Sequence, residues 1–307
     1  MHGLRGDLRC HPRGLGAGGV SMSWYAPRHL DEALALLAER PHLMLIAGGT
    51  DVMVGRDPRA EGHEYLSLGG VAGLRGIRET STGVAIGALT TMTEIGRHPI
   101  VCRALPALAA SARATGAVAI QNRATLGGNI MNASPAADNA PVLLAYGASV
   151  ILMSAAGSRH VPYERFHDGY KTTVRRPGEI LGEILVPCAP PQARHYFRKV
   201  GTRRAQAISK VGLAALLAGG PGAWQCVRFG FASVAATPIL ARALAATITG
   251  TVCGLPDDED LAEALGRDLA TRDDIRSTAE YRRRVAVNLV REALAPWRHQ
   301  GGFDASD

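Results

Sequence analysis

Aromatic side chains are scarce in this chain: Phe, Trp and Tyr together make up 5% of it. A core with so few rings has to be built from Ala, Val, Leu and Ile. The basic clusters, Arg203-Arg204 and Arg282-Arg283-Arg284, are short and carry no interleaved aromatics, which argues against a nucleic-acid reader. The five cysteines, Cys10, Cys102, Cys188, Cys226 and Cys253, are scattered, and no two form a C-x-x-C pair. That spacing excludes a visible iron–sulfur or zinc motif and any disulfide framework, and predicts reduced thiols packed mostly as small hydrophobes. No apolar run approaches the roughly 20 residues that span a bilayer. The first twenty residues hold Arg5, Arg9 and Arg13 but no apolar h-region, so no secretory signal is read there. A soluble, cytoplasmic protein is expected.

What the chain does have is apolar mass. Hydrophobic residues account for 47% and charged residues for 20%, enough to bury a sizeable core. The 307 residues leave room for two domains of roughly 100–200 residues each. The net charge of +7 suits a phosphate ligand or an acidic partner subunit.

Along the chain, residues 1–21 are rich in Gly and Arg without periodicity and read as a disordered extension. A short strand at Ser23–Ala26, a helical i, i+3, i+4, i+7 pattern through Leu30, Ala33, Leu34 and Leu37, and an apolar strand at Leu43–Ala47 make an α/β opening. Strands are expected at Glu64–Leu68, Arg75–Glu79 and Gly83–Ala88, a helix at Pro106–Thr115 and another at Asn139–Tyr146. A hairpin about Gly157 and a strand at Glu179–Val186 follow. Pro187, Pro190 and Pro191 mark a boundary. Beyond it come strands at Tyr196–Val200, Val211–Leu217 and Cys226–Val234. Helices follow at Ile239–Thr247, Asp260–Ala270 and Ser277–Leu294, the last with Tyr281, Val285, Asn288 and Leu289 on one face.

Three Gly-rich segments compete as phosphate loops. Gly14, Gly16 and Gly19 satisfy G-x-G-x-x-G, but Arg9–Arg13 before them is no strand, so a floppy tail is the better reading. Gly48-Gly49-Thr50-Asp51 leaves the strand Leu43–Ala47 directly. Glycines there let backbone N–H groups approach a phosphate, although an ordinary tight turn would look the same. Thr125-Leu126-Gly127-Gly128-Asn129 offers two glycines, a hydroxyl and an amide suited to a pyrophosphate. Asp138, nine residues beyond Asn129, either accepts hydrogen bonds from a ribose or loop amides, or caps the next helix, with Pro135 as its start signal. Two such loops in one domain suit a dinucleotide with a diphosphate bridge. His29, His63, His98 and His160 follow no metal-ligand spacing, and no metal site or catalytic acid–base set is read from the sequence.

The segments LIAGGTDV (45–52), VAIGALTTMTEI (84–95), RATLGGNIMNASPAAD (123–138), GYKTTVRRPGEILGEILVP (169–187) and FRKVGTRRAQAISKVGLAA (197–215), with a weaker EYRRRVAVNLV (280–290), span about residues 23–295 in order. In these the chain resembles the FAD-binding, or medium, subunit of the xanthine dehydrogenase and carbon monoxide dehydrogenase family of molybdenum hydroxylases. The resemblance implies an α+β fold. Its FAD-binding part has two subdomains of the vanillyl-alcohol-oxidase/p-cresol-methylhydroxylase type. A C-terminal domain of a three-stranded antiparallel sheet and helices follows. Expected domains are residues 22–190, with subdomains of about 22–80 and 81–190, then 191–297, then a tail at 298–307. The resemblance places Leu45, Ile46, Ala47, Gly48, Gly49, Thr50, Asp51, Val52, Thr125, Leu126, Gly127, Gly128, Asn129 and Asp138 on the cofactor, and Thr115, Leu181 and Lys199 near the flavin end. It departs at Thr115, where animal members carry a ring-stacking aromatic, and at Gln121, where bacterial members often carry Arg. Lys199 is either a solvated strand-end lysine or a cation near the flavin or its acceptor, and Tyr170 and Lys171 either line the site or pack the loop.

The function implied is electron transfer. Partner chains, a molybdenum-pterin large subunit and a [2Fe–2S] small subunit, would feed FAD here, and NAD+ or another acceptor would be reduced. The absence of clustered cysteines fits that division of labour. A stand-alone FAD-dependent oxidase and a non-enzymatic nucleotide-binding protein are the alternatives.

Overall fold

The computed structural model describes residues 23–54, 64–203 and 206–298. The Gly14–Gly19 match and the extension expected over residues 1–21 lie outside the described residues, as does the tail beyond Arg298. Three principal sheets follow one another along the chain.

The first is small and parallel. Strand β1 (Ser23–Tyr25) stops short of Pro27, and helix α1 (Leu30–Glu39) buries Ala33, Leu34 and Leu37. Asp31 and Glu32 sit in its first turn, where negative charge suits the helix dipole. Strands β2 (Met44–Ile46) and β3 (Glu64–Ser67) complete the sheet in the order β1-β3-β2, with both outer strands parallel to β3. The carboxyl end of β2 opens directly onto Ala47-Gly48-Gly49, the position at which open parallel sheets present ligand loops.

The second sheet is antiparallel. It begins with the hairpin of β4 (Ile77–Thr80) and β5 (Gly83–Gly87). The subdomain boundary expected near residue 80 therefore falls inside a hydrogen-bonded hairpin, and the second unit starts at β4. Six helices follow: α2 (Met92–Arg97), α3 (Pro99–Ala104), α4 (Pro106–Ala114), α5 (Val118–Gln121), α6 (Leu126–Met131) and α7 (Ala140–Tyr146). Then come β6 (Ser149–Ser154), β7 (Gly157–Pro162), a short separate hairpin of β8 (His167–Gly169) and β9 (Thr172–Thr173), and β10 (Ile180–Pro187). The order is β4-β5-β10-β6-β7, so β10 is central. Of the six helices, α2, α3, α5 and α6 escape a periodicity reading because none exceeds six residues. Local chemistry makes them instead. Thr91 and Glu94 form a reciprocal capping box on α2, and Pro99 and Pro106 open α3 and α4.

The third sheet holds the three expected long strands, β11 (Arg194–Val200), β12 (Val211–Ala218) and β13 (Cys226–Ala232), and a short fourth, β14 (Ile239–Leu240). Ile239 and Leu240 were expected to begin a helix. They pair instead with Phe231 and Gly230, and α8 (Arg242–Gly250) starts two residues later. The Asp268 carboxylate fixes that start by accepting from the N–H groups of Arg242, Ala243 and Leu244. Asp268 ends α9 (Asp258–Asp268), and α10 (Ala279–Arg298) closes the domain.

Helix α7 joins the second and third units. All seven of its residues are buried, the signature of a helix with protein on every side. From β13, Arg228 donates to the Leu144 and Ala145 carbonyls at its C-terminus. A Cβ on Gly230 would overlap the Pro141 carbonyl, so glycine sets the close approach of β13 to α7. Among the described residues no helix is long and apolar enough to cross a membrane. Cys226 is half-buried and packs against the core as expected of a small hydrophobe, whereas Cys102, Cys188 and Cys253 are exposed.

The apolar face expected on α10 is displaced. Tyr281 and Asn288 are exposed, and the buried stripe runs through Arg282, Ala286, Leu289, Val290 and Ala293. A charged residue leads it because the Arg282 guanidinium donates to the Lys210 and Ser233 carbonyls and to Asp274. Removing that group leaves buried carbonyls unpaired, so Arg282→Met is expected to cost about 2–4 kcal/mol. It should lower the thermal midpoint by several degrees, read by circular dichroism.

Candidate functional site

A cleft of about 850 Å³ lies where the three units meet, within the usual range for small-molecule sites of about 300–1,000 Å³. It brings together fourteen of the seventeen residues expected on the cofactor: Leu45, Ala47–Val52, Thr115, Thr125, Gly127–Asn129, Asp138 and Leu181. Ile46, Leu126 and Lys199 do not line it. Ile46 and Leu126 are buried in the cores beneath the two loops.

The loop after β2 is the better anion cradle. Among the described residues, the N–H groups of Gly48, Gly49, Thr50, Asp51 and Val52 have no hydrogen-bond partner. A run of free amides on a glycine turn gathers partial positive charge. Gly49 has φ +75, a conformation glycine adopts without strain, and a Cβ on Gly48 would overlap the Arg123 carbonyl. Arg123 Nε in turn donates to the Gly48 carbonyl at 3.2 Å. The first glycine loop is thus packed, backbone to backbone, on Arg123 and Ala124, which lead into the second.

The second loop is differently built. Thr125 caps α6, its hydroxyl accepting from Gly128 N–H at 3.0 Å. Gly127 N–H donates to Ala88 at 2.8 Å, and Leu126 N–H to Thr90 at 3.0 Å. The amides of Leu126, Gly127, Gly128 and Asn129 are therefore already engaged. Gly127 is small because a side chain there would strike Ala88, so this glycine serves the packing of α6 on the end of β5. The pair of equal phosphate loops expected from the sequence resolves into one loop with free donors and one that braces it.

Asp138 is buried and is not a helix cap. The N-cap of α7 is Asn139, and the helix-start proline is Pro141 rather than Pro135. The Asp138 carboxylate accepts from Lys199 Nζ at 2.6 Å and from the Ser209 hydroxyl at 2.7 Å. Burial pushes its carboxyl above the ordinary carboxylate range, and the Lys199 ammonium and Ser209 hydroxyl pull it part of the way back. Lys199 also donates to the carbonyl of Ala114, the last residue of α4, at 3.2 Å. It is neither a solvated strand-end lysine nor a cation facing the cleft. It stands behind Asp138 and fixes it.

Asn139, one residue on, is completely buried and was not singled out by its sequence. Its amide nitrogen donates to Thr115 Oγ1 and Asn129 Oδ1, both at 3.2 Å, and its oxygen accepts from Ser111 at 2.7 Å. Thr115 also donates to the Ser111 carbonyl at 2.9 Å. At position 115 this chain thus presents a hydroxyl held by its own backbone. Among the described residues lining the cleft, Tyr170 is the aromatic one.

Tyr170 and Lys171 form the tip of the β8–β9 hairpin. Lys171 has φ +60, and its N–H donates to the Ala133 carbonyl at 3.2 Å. Its Nζ reaches Asn132 Oδ1 at 2.5 Å, and Asn132 Nδ2 donates to Asp51 Oδ1 at 2.8 Å. The hairpin is anchored below by Glu179, which receives Arg159 through both carboxylate oxygens, at 2.6 and 2.9 Å, and Arg176 N–H at 2.7 Å. The Arg159 hydrogen bonds hold the Glu179 carboxyl below its usual range. Asn132 lies inside the segment 123–138 that drew attention in the sequence, but amides carry no spacing rule by which to select it.

Residues 20–189 match the family described as the FAD binding domain in molybdopterin dehydrogenase, and residues 195–296 match the CO dehydrogenase flavoprotein C-terminal domain. The chain is 31% identical over 278 residues to the xanthine dehydrogenase FAD-binding subunit of Escherichia coli O157:H7, covering 89% of this chain and 94% of that one. It is 30% identical over 275 residues to the glyceraldehyde dehydrogenase medium chain of Sulfolobus acidocaldarius, covering 89% and 96%. Its fold superposes with TM-score 0.82 on a chain of the carbon monoxide dehydrogenase from Hydrogenophaga pseudoflava that lacks the Mo-pyranopterin moiety of the molybdenum cofactor. That match has 27% identity over 91% of this chain and 98% of that one.

The hairpin that carries Tyr170 and Lys171 has a titratable root. His167 packs edge-on against Tyr163 and Phe166 and bonds the Tyr163 hydroxyl through Nε2 at 2.9 Å. Burial lowers its imidazole from the ordinary 6.5 to about 4. Unfolded chain therefore takes up a proton below pH 6.5 that folded chain refuses until about pH 4. Stability is complete above pH 6.5 and falls across that window by up to about 3 kcal/mol. His167→Gln should flatten this limb of the pH–melting curve.

Proposed function

The chain belongs to the FAD-binding subunits of the xanthine and carbon monoxide dehydrogenase family, and from that premise we propose that it is the electron-transfer subunit of a multi-subunit molybdenum hydroxylase. The observation that carries the reading is the row of free amides from Gly48 to Val52, set in a cleft whose walls come from all three units. A diphosphate fits that row, since each N–H can donate to an anionic oxygen, and the absence of a Cβ at Gly48 lets the loop pack on the Arg123 backbone. FAD, when bound, supplies a redox centre that exchanges electrons singly with iron–sulfur clusters and in pairs with an acceptor.

The chain's own residues do the binding and positioning. Gly48–Val52 hold the diphosphate. Thr125 and Gly127–Asn129 keep that loop in place from below. Leu181 and Thr115 wall the flavin end, with the Thr115 hydroxyl already turned back to the protein. Asp138 holds the floor of the cleft against β11, and Lys199 acts through Asp138 as a positioning residue. Neither carries a proton to or from a reacting atom in this reading.

The partners follow from what the chain lacks and what its relatives are called. Among the described residues the cysteines are scattered and no group of His, Cys, Asp or Glu is placed to hold a metal, so cluster and molybdenum belong on other chains. The name medium chain, given to the Sulfolobus relative, itself implies larger and smaller companions. Relatives named for xanthine and glyceraldehyde share this chain's sequence across nearly its whole length. That supports a substrate chosen on another subunit, with NAD+ or a different acceptor meeting the flavin here.

Native purification of the tagged chain is the test. A flavin spectrum with two further subunits, one carrying [2Fe–2S] and one molybdenum-pterin, is the expected result. A colourless chain would overturn the flavin reading. Turnover of an organic substrate by the isolated yellow chain would favour a stand-alone oxidase. Gly48→Ala, which drives a methyl group into the Arg123 carbonyl, is expected to lower FAD affinity at least about tenfold. Flavin content per chain after gel filtration reads the loss.

A further inference from the structure

A bound diphosphate carries two negative charges, and free amides supply only partial positive charge, so a full cation should stand beside the Gly48–Val52 row. The described residues lining the cleft include three: Lys171, Arg175 and Arg276. Arg175 is committed to the backbone, donating to the Glu179 carbonyl at 2.9 Å and the Arg176 carbonyl at 3.4 Å. Arg276 faces the Asp274 carboxylate at 3.8 Å. Lys171 differs from both, because its ammonium rests on the neutral amide oxygen of Asn132.

The position of Lys171 also fits. Asn132 passes its other hydrogen bond to Asp51, the residue after Thr50 in the anion loop. The ammonium is therefore one amide group away from the row of free N–H donors. Its backbone is held in place by the left-handed turn at Lys171 and the bond to Ala133, while its side chain is exposed and free to swing. The smaller adjoining cavity offers Arg75, which is paired with Glu94 at 2.9 Å, and Arg123, whose Nε donates to the Gly48 carbonyl.

We propose that Lys171 is the counter-charge for the FAD diphosphate, exchanging the Asn132 amide oxygen for a phosphate oxygen when the cofactor enters. The proposal rests on the reading of the cleft as an FAD site. It makes the β8–β9 hairpin the element that closes the cleft over the cofactor, with a charged contact at its tip.

FAD binding by the full-length chain, followed by flavin fluorescence over a range of salt concentrations, tests it. Lys171→Gln is expected to raise the FAD dissociation constant about tenfold, the size of a charge-assisted hydrogen bond partly exposed to water. It should also flatten the salt dependence, because the screened charge pair is gone. Lys171→Arg should restore both. A wild-type affinity and salt slope in Lys171→Gln would overturn the assignment. So would weaker binding with an unchanged salt slope, which would mean that the side chain shapes the cleft without neutralising anything. If wild-type chain itself takes up no FAD, the reading of the cleft falls first and this assignment with it.

Discussion

Everything around the cleft depends on two adjacent residues that look in opposite directions. Asp138 turns toward the C-terminal sheet and is held there by Lys199 and Ser209. Asn139 turns into the helical layer and ties Ser111, Thr115 and Asn129 together. One peptide bond thus links two polar networks, each buried and each satisfied. Buried charge and buried amide are tolerable only when their partners are complete. The wall of the cleft is consequently rigid at this point, and the loops above it inherit their positions.

The division between the two glycine loops follows the same logic. A loop whose amides are all engaged cannot bind an anion, but it can be stiff. A loop with free amides can bind but needs bracing. The Gly48–Arg123 backbone contact joins the stiff loop to the receptive one. Neither loop alone would make a site, which is why the cleft sits between units and not within one.

Much of this was legible in the sequence, and the reasons for the rest are physical. Long strands such as Val211–Ala218 and the Ala-rich helix opened by Pro106 announced themselves by pattern. Residues of the motif at 123–138 line the cleft. Helices α2, α3, α5 and α6 are too short to show a period, and they exist because caps and tertiary packing hold them. The engaged amides of the second loop could not be foreseen, since Gly-Gly reads alike whether its N–H groups face a ligand or the Ala88 carbonyl. The face of α10 was misplaced because a hydrophobicity rule cannot foresee an arginine buried on backbone carbonyls. Lys199 was read as either solvated or facing the flavin. Its partner, 61 residues away in sequence, decided otherwise.

The complete burial of α7 has a consequence for how this polypeptide can be divided. The two matched families meet between residues 189 and 195, near a proline-rich segment that looks like a natural seam. The seam in sequence is not a seam in space. Arg228 and Gly230 belong to the C-terminal sheet, yet the carbonyls and backbone they fit belong to a helix encoded some eighty residues earlier. A fragment ending at Pro190 would expose one side of that helix to water, along with the Asp138 carboxylate that its missing lysine should neutralise. The two matched segments therefore depend on each other for packing, and any division of the chain would have to keep α7 and β13 together.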